Sequence, residues 1–413
     1  MSILTLNCGS SSLKYSVFDT VQGTFICRGL VERIGDRGSR LTQHYAQNET
    51  CLERDCPDHS AAVQLVLGVL TEDHDSPLAD MNSIKAVGHR VVHGGEKFAR
   101  SAKVTQELIR AVEQVAELAP LHNPPNLAGI RAAQELLPDI EHVAVFDTAF
   151  HQSMPPEAYI YPLPYEWYEK YGIRRYGFHG TSHLYVSTRA ASLLGRAVED
   201  LKIVTLHVGN GASAAAVSHG KSIDTSMGFT PLEGLVMGTR CGWIDPAIVL
   251  YVMEREKLDS NSMDRLLNKK SGVLGISGQF TDRRDILKGA HNGDRRCQLA
   301  IEIESRSLKK TIGSYAAAMG GLDCVVFTAG VGENSALIRA KALEDLSFLG
   351  IQLDTELNEQ ACGGQREELI TTPASPVKVA VIPTNEELVI AEDTQAILQG
   401  SFCNQDRFRY SFE

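Results

Sequence analysis

The residues best suited to chemistry stand in small polar clusters after apolar stretches. The first such stretch, residues 3–19, runs from an apolar segment through Gly9 and three serines into an alternating segment. This pattern predicts a β-hairpin with a tip of small residues. The tip offers backbone N–H groups, three hydroxyls and the ammonium of Lys14, a set that suits a phosphate. An ordinary hairpin turn explains the tip equally well at this point.

A second stretch repeats this pattern. Thr5-Leu6 and Gly9 recur 200 positions later (205 minus 5) as Thr205-Leu206 and Gly209, and an alternating segment again follows. Two copies of a strand, a glycine turn and a strand indicate two similarly built halves. We therefore expect each half to direct one loop at a phosphate.

Other polar residues directly follow predicted strands. They are Asn7, Arg90, Asp147, His207, Asn210, Gly330, Asn334 and Glu386. In α/β proteins ligands bind at the carboxyl ends of the strands, so these residues are candidates for one site. The sequence has no GxxxxGK[ST] motif, no GxGxxG opening a helix, and no HRD or DFG signature. A nucleotide must therefore be held by a different cradle.

The composition excludes several classes of function. The chain has 413 residues, enough for two or three domains, and a formal net charge of −11. This charge argues against nucleic acid or an anionic membrane as the main partner. Nine scattered cysteines complete no zinc motif, and neither a secretory signal nor a membrane-spanning run is visible. We therefore expect reduced thiols and a cytoplasmic location.

The order of the elements predicts an α/β protein with mixed or parallel sheets, because strands alternate with helices. The predicted strands include residues 84–95, 142–146, 324–328 and 377–382. The predicted helices include residues 105–118, 297–319 and 386–398. Residues 33–57 are polar and glycine-containing, which predicts an irregular surface segment.

Eight motifs in order resemble those of the acetate kinase family, in the actin/Hsp70/sugar-kinase superfamily, and they cover nearly the whole chain. They are residues 7–14, 89–95, 146–147, 175–183, 207–211, 237–240, 329–334 and 384–387. The resemblance implies two ribonuclease H-like domains with a nucleotide cleft between them. Residues 1–150 plus 383–413 would form the first domain, and residues 151–382 the second. It also implies Mg²⁺-dependent, reversible γ-phosphoryl transfer from ATP to acetate, with Mn²⁺ as an alternative metal, in a homodimer.

The resemblance also implies roles for individual residues. Asp147, His179 and Arg240 match catalytic positions, and Asn7 and Glu386 match magnesium ligands. The substrate residues are Arg90, His122 and an apolar pocket of Val92, Leu121, Phe178 and Pro231. The nucleotide contacts are Lys14, His207, Gly209, Asn210, Gly211, Asp282, Arg283, Arg284, Gly330, Val331, Gly332, Glu333 and Asn334. Structural roles stay open for three of them: a surface ion pair for Arg90, a buried hydrogen bond for His179 and a helix cap for Glu386.

Two positions refine this reading. Propionate-preferring members of the family carry a smaller residue at the position of Val92, so Val92 favours acetate over propionate. Trp243 stands where the family has an acidic residue. Two alternative functions remain open, a propionate or short-chain acyl kinase and an actin- or chaperone-like ATPase.

Overall fold

The computed structural model describes residues 2–72, 76–120, 122–364, 366–402 and 408–413. The chain packs as two compact units. The first unit comprises Met1–Phe150 and Asn385–Ser411, and the second comprises His151–Thr384 and Phe412–Glu413. The division into domains at residues 150 and 383, expected from the sequence, stays a prediction.

The first unit contains an eight-stranded sheet with the order β5-β4-β3-β2-β1-β6-β8-β7. Its strands are β1 (Ser2–Cys8), β2 (Ser12–Asp19), β3 (Thr24–Glu32), β4 (Arg40–Tyr45), β5 (Asn48–Glu53), β6 (Ile84–Val91), β7 (Ala102–Lys103) and β8 (Glu141–Phe146). Strand β1 pairs antiparallel with β2 and parallel with β6, and β6 pairs parallel with β8. The carboxyl ends of β1, β6 and β8 therefore lie side by side.

The second unit contains a six-stranded sheet with the order β11-β10-β9-β12-β14-β13. Its strands are β9 (Lys202–Val208), β10 (Ala212–Ser218), β11 (Lys221–Thr225), β12 (Cys324–Thr328), β13 (Glu368–Leu369) and β14 (Lys378–Val381). Strand β9 pairs antiparallel with β10 and parallel with β12, and β12 pairs parallel with β14.

The helices of the first unit are α1 (His59–Thr71), α2 (Gln106–Gln114), α3 (Asn123–Leu136) and α15 (Glu386–Leu398). The helices of the second unit are α4 (Pro156–Tyr159), α5 (Tyr165–Tyr171), α6 (Gly180–Leu193), α7 (Pro246–Glu256), α8 (Ser260–Lys269), α9 (Gly272–Ser277), α10 (Arg283–His291), α11 (Arg295–Met319), α12 (Ala329–Asn334), α13 (Ala336–Leu343) and α14 (Thr355–Gln360). Helices α3 and α15 both pack on the first sheet, where they contact β1 and β6. In the part of the chain that the structure describes, no helix has the length and apolar character to cross a membrane.

Both predicted hairpins are confirmed, with a tip of four residues (9–12) in the first and of three residues (209–211) in the second. Leu6 pairs with Tyr15 in the first hairpin, and Leu206 pairs with Ala214 in the second. At the tips, Gly9 N donates to Ser12 O at 2.8 Å and Gly209 N donates to Gly211 O at 3.0 Å. The order of antiparallel and parallel strand pairs is the same around both hairpins. The α/β class predicted from the sequence is therefore confirmed, with the same five-strand core in each unit.

The prediction of an irregular segment over residues 33–57 is wrong, since β4 and β5 lie within it. Strand β4 follows the alternation of a half-buried strand, because Leu41 and Gln43 are buried and their neighbours are not. Strand β5 stands at the edge of the sheet, and five of its six residues are exposed. A polar edge strand resists pairing with other chains, but its composition resembles that of a loop.

Two histidines form a buried pair in the core of the first unit. His89 Nε2 lies 2.9 Å from His142 Nδ1, and His142 Nε2 lies 3.1 Å from Leu137 O. A carbonyl only accepts, so the proton of His142 is on Nε2 and His89 must donate to its Nδ1. Burial, and then the other histidine, lowers the pKa of His89 well below 6.5. Burial also lowers the pKa of His142.

This pair predicts a loss of stability in acid. Both rings are neutral in the folded chain, whereas the unfolded chain binds protons below about pH 6.5, so stability falls as the pH decreases through that value. In His89→Gln the amide can still donate to His142 but cannot titrate. The urea midpoint of this variant should therefore fall less than that of the wild type between about pH 7.5 and about pH 5.5. The exposed His44→Gln controls for the substitution, and equal losses in wild type and His89→Gln would contradict the prediction.

Candidate active site

Four of the predicted site residues meet at the carboxyl edge of the first sheet. Asn7 lies near the end of β1, Arg90 lies near the end of β6, and Asp147 directly follows β8. Glu386 is the first residue of α15, which packs against the same three strands. The parallel pairing of β1, β6 and β8 therefore positions three of these side chains, and the helix start positions the fourth.

Arg90 and Asp147 form a bidentate ion pair. Arg90 Nε donates to Asp147 Oδ1 at 2.9 Å, and Nη2 donates to Oδ2 at 2.6 Å. Arg90 Nη1 also donates to Asn7 Oδ1 at 3.2 Å. A guanidinium has five N–H groups, and these three bonds leave two of them for another partner. Because the Arg90 side chain is 19% exposed and that of Asp147 only 1%, the arginine is the member of the pair that a ligand can reach.

The charges of this edge alter the protonation of Glu386. Its Oε2 lies 4.0 Å from Arg90 Nε. Burial raises the pKa of Glu386 to about 7, the nearby carboxylates of Asp147 and Glu387 add to this, and Arg90 and Lys14 oppose it. Burial would lower the pKa of Arg90, but Asp147 and Glu386 raise it above its usual range. The edge thus holds more negative charge than its two cations balance.

Oxygen atoms at this edge fit a magnesium ion. Mg²⁺ prefers one or two carboxylates, neutral oxygens, water and phosphate. The oxygens of Asn7 and Glu386 are of this kind, and so is Asn385 Oδ1, which is buried and has no hydrogen-bond partner. Among the described residues, no three His, Cys, Asp or Glu side chains are grouped to hold a metal by themselves. A metal here would therefore depend on amide and ligand oxygens.

Two buried asparagines position this edge, and sequence reasoning missed both. Asn126 Oδ1 accepts from Val92 N at 3.0 Å, and its Nδ2 donates to Cys8 O at 2.7 Å. Asn123 Oδ1 accepts from His93 N at 3.1 Å. They join the chain after β6 to helix α3 and to the end of β1. Their only sequence signal is two asparagines around a proline pair, which reads simply as a helix start.

The predicted acyl-pocket residues divide between the two units. Val92 is buried, two positions after Arg90 in the chain. His122 precedes α3 as its N-terminal cap residue. Leu121 lies outside the described residues. In the second unit Phe178 is buried, and its carbonyl lies 3.0 Å from His151 Nε2.

In the second unit, His179 and Arg240 flank the turn of the second hairpin. A Cβ atom at Gly211 would lie 3.6 Å from Arg240 Nη1 and 3.7 Å from His179 Cε1. Arg240 Nη1 donates to Pro231 O at 3.2 Å, and burial lowers the pKa of Arg240. His179 has a left-handed backbone with φ of 57°, which costs energy for a residue other than glycine. A strained histidine and a half-buried arginine thus face the same glycine.

A second glycine-containing turn of this unit, residues 329–334, follows β12. A Cβ atom at Gly209 would lie 3.8 Å from the Cβ of Ala329, so the two turns are neighbours. A Cβ atom at Gly330 would meet nothing within 4 Å, which leaves the backbone open to a ligand. Asn210 O accepts from Gly238 N at 2.9 Å. This bond connects the turn between β9 and β10 to the loop that carries Arg240.

Several residues that were predicted to contact the nucleotide form hydrogen bonds to the backbone of the turn after β12. Glu333 Oε1 accepts from Ala329 N at 2.7 Å and from Thr384 N at 3.3 Å. Asn334 Nδ2 donates to Gly330 O at 2.8 Å. The buried Arg339, which sequence reasoning missed, donates to the carbonyls of Gly332 and Glu333, and Val331 completes the turn.

The segment 282–284 shows two different environments. Arg283 is buried and donates to the Glu304 carboxylate, with its Nη2 at 2.6 Å from Oε1. Arg284 is 90% exposed and bonds to Asp282, the cap residue of α10. The structure therefore gives Arg283 a structural ion pair and places Arg284 on the surface. Trp243, three positions after Arg240, is also half-exposed.

The two sheets, each with polar turns at the carboxyl ends of its parallel strands, define an α/β protein of the actin-like ATPase fold. The sequence model of the Acetokinase family matches residues 2–392, and the chain belongs to this family. The chain is 57% identical over 413 residues to an acetate kinase of Geobacter metallireducens. The alignment covers 100% of this chain and 98% of that protein.

Solved structures agree with this assignment. The acetate kinase of Porphyromonas gingivalis superposes with a TM-score of 0.91 at 48% identity, over 96% of this chain and 99% of that one. The propionate kinase of Francisella tularensis superposes with a TM-score of 0.89 at 40% identity, over 95% of this chain and 99% of that one. The family and the fold predicted from the sequence are therefore confirmed.

The charge balance around Glu386 can be tested by its titration. Asp147→Asn removes a neighbouring negative charge, so the pKa of Glu386 should fall below its value of about 7. Arg90→Leu removes a positive charge and should raise it. Carbon-13 NMR of chain labelled at the glutamate carboxyl, assigned with Glu386→Gln, measures both shifts. A pKa near the ordinary glutamate value in the wild type, or shifts in the opposite directions, would contradict this account of the site.

Proposed function

We propose that this protein is an acetate kinase, which transfers the γ-phosphoryl group of ATP to acetate and gives acetyl phosphate and ADP, reversibly. The observation that carries the proposal is the Arg90 guanidinium. A nearly inaccessible carboxylate holds it bidentately, yet it keeps N–H donors and partial exposure. Full-length membership of the Acetokinase family supports the same reaction.

Acetate needs no general base, because carboxylic acids of this kind are ionised at neutral pH. Its binding needs an oriented cation, and a guanidinium fork matches a carboxylate. The ion pair with Asp147 fixes the plane of the Arg90 guanidinium and hence the direction of its remaining donors. We therefore assign Asp147 to the orientation of Arg90 and of bound substrate, and not to proton abstraction.

The apolar residues around the acetate methyl group would be Val92, Leu121, Phe178 and Pro231. Val92 leaves room for a methyl group and crowds an added methylene, which costs about 1–3 kcal/mol in discrimination. Propionate should thus be a poorer substrate, although a propionate kinase shares the fold. Steady-state kinetics with acetate, propionate and butyrate separate the two, and a higher kcat/KM for propionate would favour the other kinase.

We assign Mg²⁺ to Asn7 and Glu386, with Mn²⁺ as an alternative. Their oxygens, together with the buried Asn385 Oδ1, suit a hard cation, and the excess negative charge at this edge favours one. When bound, the metal would neutralise charge on the phosphate oxygens. Glu386 must lose its proton to bind it, so its pKa predicts tighter metal binding as the pH rises through about 7.

We assign the transferring phosphoryl to Arg240 and His179, because phosphoryl transfer depends on positioned donors more than on covalent help. Arg240 is held by the carbonyl of Pro231 beside Gly211. The turns at residues 207–211 and 330–334, with Lys14, are assigned to the nucleotide. For Asp282, Arg283 and Arg284 a nucleotide contact stays a prediction of the family resemblance. The homodimer, the cytoplasmic location and the domain boundaries stay predictions of the family resemblance.

One assay tests the function directly. Purified protein is incubated with ATP, Mg²⁺, acetate and hydroxylamine, which traps acetyl phosphate as the hydroxamate. We expect hydroxamate only when acetate and ATP are both present. ATP hydrolysis that is independent of small carboxylates would instead favour the actin- or chaperone-like ATPase.

Arg240→Ala tests the phosphoryl assignment. Removal of a preorganised donor should lower kcat by roughly two to four powers of ten while nucleotide affinity is largely kept. The exposed Arg255→Ala on α7 is the matched control and should retain the wild-type rate. Trapping kinetics give kcat, and ADP titration by calorimetry gives affinity. An unchanged kcat in Arg240→Ala would remove this residue from the mechanism.

A further inference from the structure

A chain of hydrogen bonds connects His179 to the interior of the second unit. His179 Nδ1 lies 2.8 Å from Ser213 Oγ, and the same hydroxyl lies 2.8 Å from Nε2 of His183. His183 Nδ1 lies 2.7 Å from Thr205 Oγ1. His183, Ser213 and Thr205 are all completely buried. These three residues have no role in the proposed function so far.

His183 is neutral, so its two hydrogen bonds run in the same direction along the chain: it accepts one and donates the other. Burial, and then the neighbouring His151 and His207, lowers the pKa of His183 well below 6.5. A neutral imidazole donates from one nitrogen and accepts at the other, and each hydroxyl has one proton. A hydroxyl can also accept from both neighbours, but its own proton then needs a third partner. Among the described residues, the Ser213 hydroxyl bonds only to His179 and His183, so its proton goes to one of these two rings. The three bonds therefore all run towards His179 or all run away from it.

The hydroxyl of Thr205 decides between the two directions. If the bonds run away from His179, His183 donates to Thr205, and the one acceptor that the described residues offer the Thr205 proton is Ala215 O at 3.5 Å. That distance exceeds the usual range for a hydroxyl donor, and a buried donor left without a partner is destabilising. If the bonds run towards His179, every proton of the chain is used at 2.7–2.8 Å.

We propose that Ser213 and His183 are positioning residues that keep the proton of His179 on Nε2. In this direction Thr205 donates to His183, His183 donates to Ser213, and Ser213 donates to His179 Nδ1. Nδ1 is then occupied as an acceptor, and the N–H of the ring is on Nε2, the nitrogen not bonded to Ser213. This inference rests on the proposed function, in which His179 donates a hydrogen bond to the transferring phosphoryl.

A second contact holds the same ring in place. The ring of His207 stacks on that of His179, with centroids 4.1 Å apart and an interplanar angle of 21°. His207 Nδ1 lies 2.8 Å from Ser182 Oγ, which lies 2.9 Å from Thr384 Oγ1. The stacked ring restricts the tilt of His179, and the bond from Ser213 restricts its rotation. Only the bond from Ser213 also determines which nitrogen of His179 carries the proton.

The tautomer can be measured without any activity. Chain labelled with nitrogen-15 in histidine gives long-range proton–nitrogen correlations that distinguish the two neutral tautomers, and His179→Gln assigns the signals. We expect the Nε2–H form of His179 in the wild type and a mixture of forms in Ser213→Ala. The Nδ1–H form in the wild type would overturn the inference, even if Ser213→Ala fails to fold.

Kinetics test whether the tautomer matters for turnover. Ser213→Ala should lower kcat about tenfold while the KM for ATP stays within about twofold, as expected when one bond to a reacting group is loosened. Ser16→Ala is the control, because Ser16 is a buried serine on β2 whose hydroxyl bonds only within the first unit. Equal kcat values for Ser213→Ala and Ser16→Ala would overturn the positioning role. A wild type that forms no acetyl phosphate would overturn the proposed function instead, and the tautomer measurement would still stand.

Discussion

The excess of buried negative charge at the carboxyl edge of the first sheet is the constraint on which the proposed chemistry depends. Asp147 is almost inaccessible, and Glu386 lies near it beside a single bidentate arginine. Removing charges from water is costly unless they are paired and hydrogen-bonded. Arg90 pairs with and hydrogen-bonds to Asp147, whereas Glu386 has no such bidentate partner among the described residues, and its raised pKa reflects this unbalanced burial. A bound cation would complete the balance.

In the second unit, neutral groups orient the functional side chains. Beside Gly211, His179 Nδ1 bonds to the hydroxyl of Ser213, and Arg240 Nη1 donates to the carbonyl of Pro231. A hydroxyl thus orients the histidine, and a carbonyl orients the arginine. A donor oriented by neutral groups keeps its N–H bonds available for charge that develops on a phosphoryl group. The two units thus position their functional side chains by different means on the same five-strand core.

The sequence predicted the elements that follow strong local rules. Both hairpins were recognisable because small residues interrupt alternating strands, and α2 was recognisable from its apolar period. Strand β5 was missed because an exposed edge strand has the composition of a loop. Asn126 and Ser213 were missed because their partners are distant in sequence: Asn126 bonds to Cys8 and Val92, and Ser213 bonds to His179 and His183. Such contacts arise only from the fold.

The proton balance of magnesium binding tests the account most directly. Calorimetric titration of the protein with Mg²⁺ alone near pH 7, in two buffers of different ionisation enthalpy, gives the number of protons released. Because burial raises the pKa of Glu386 to about 7, the wild type should release a fraction of a proton per ion, and Glu386→Gln should bind more weakly and release none. Equal affinity and equal proton release in the two proteins would contradict the assignment of Glu386 and the charge balance derived for this site.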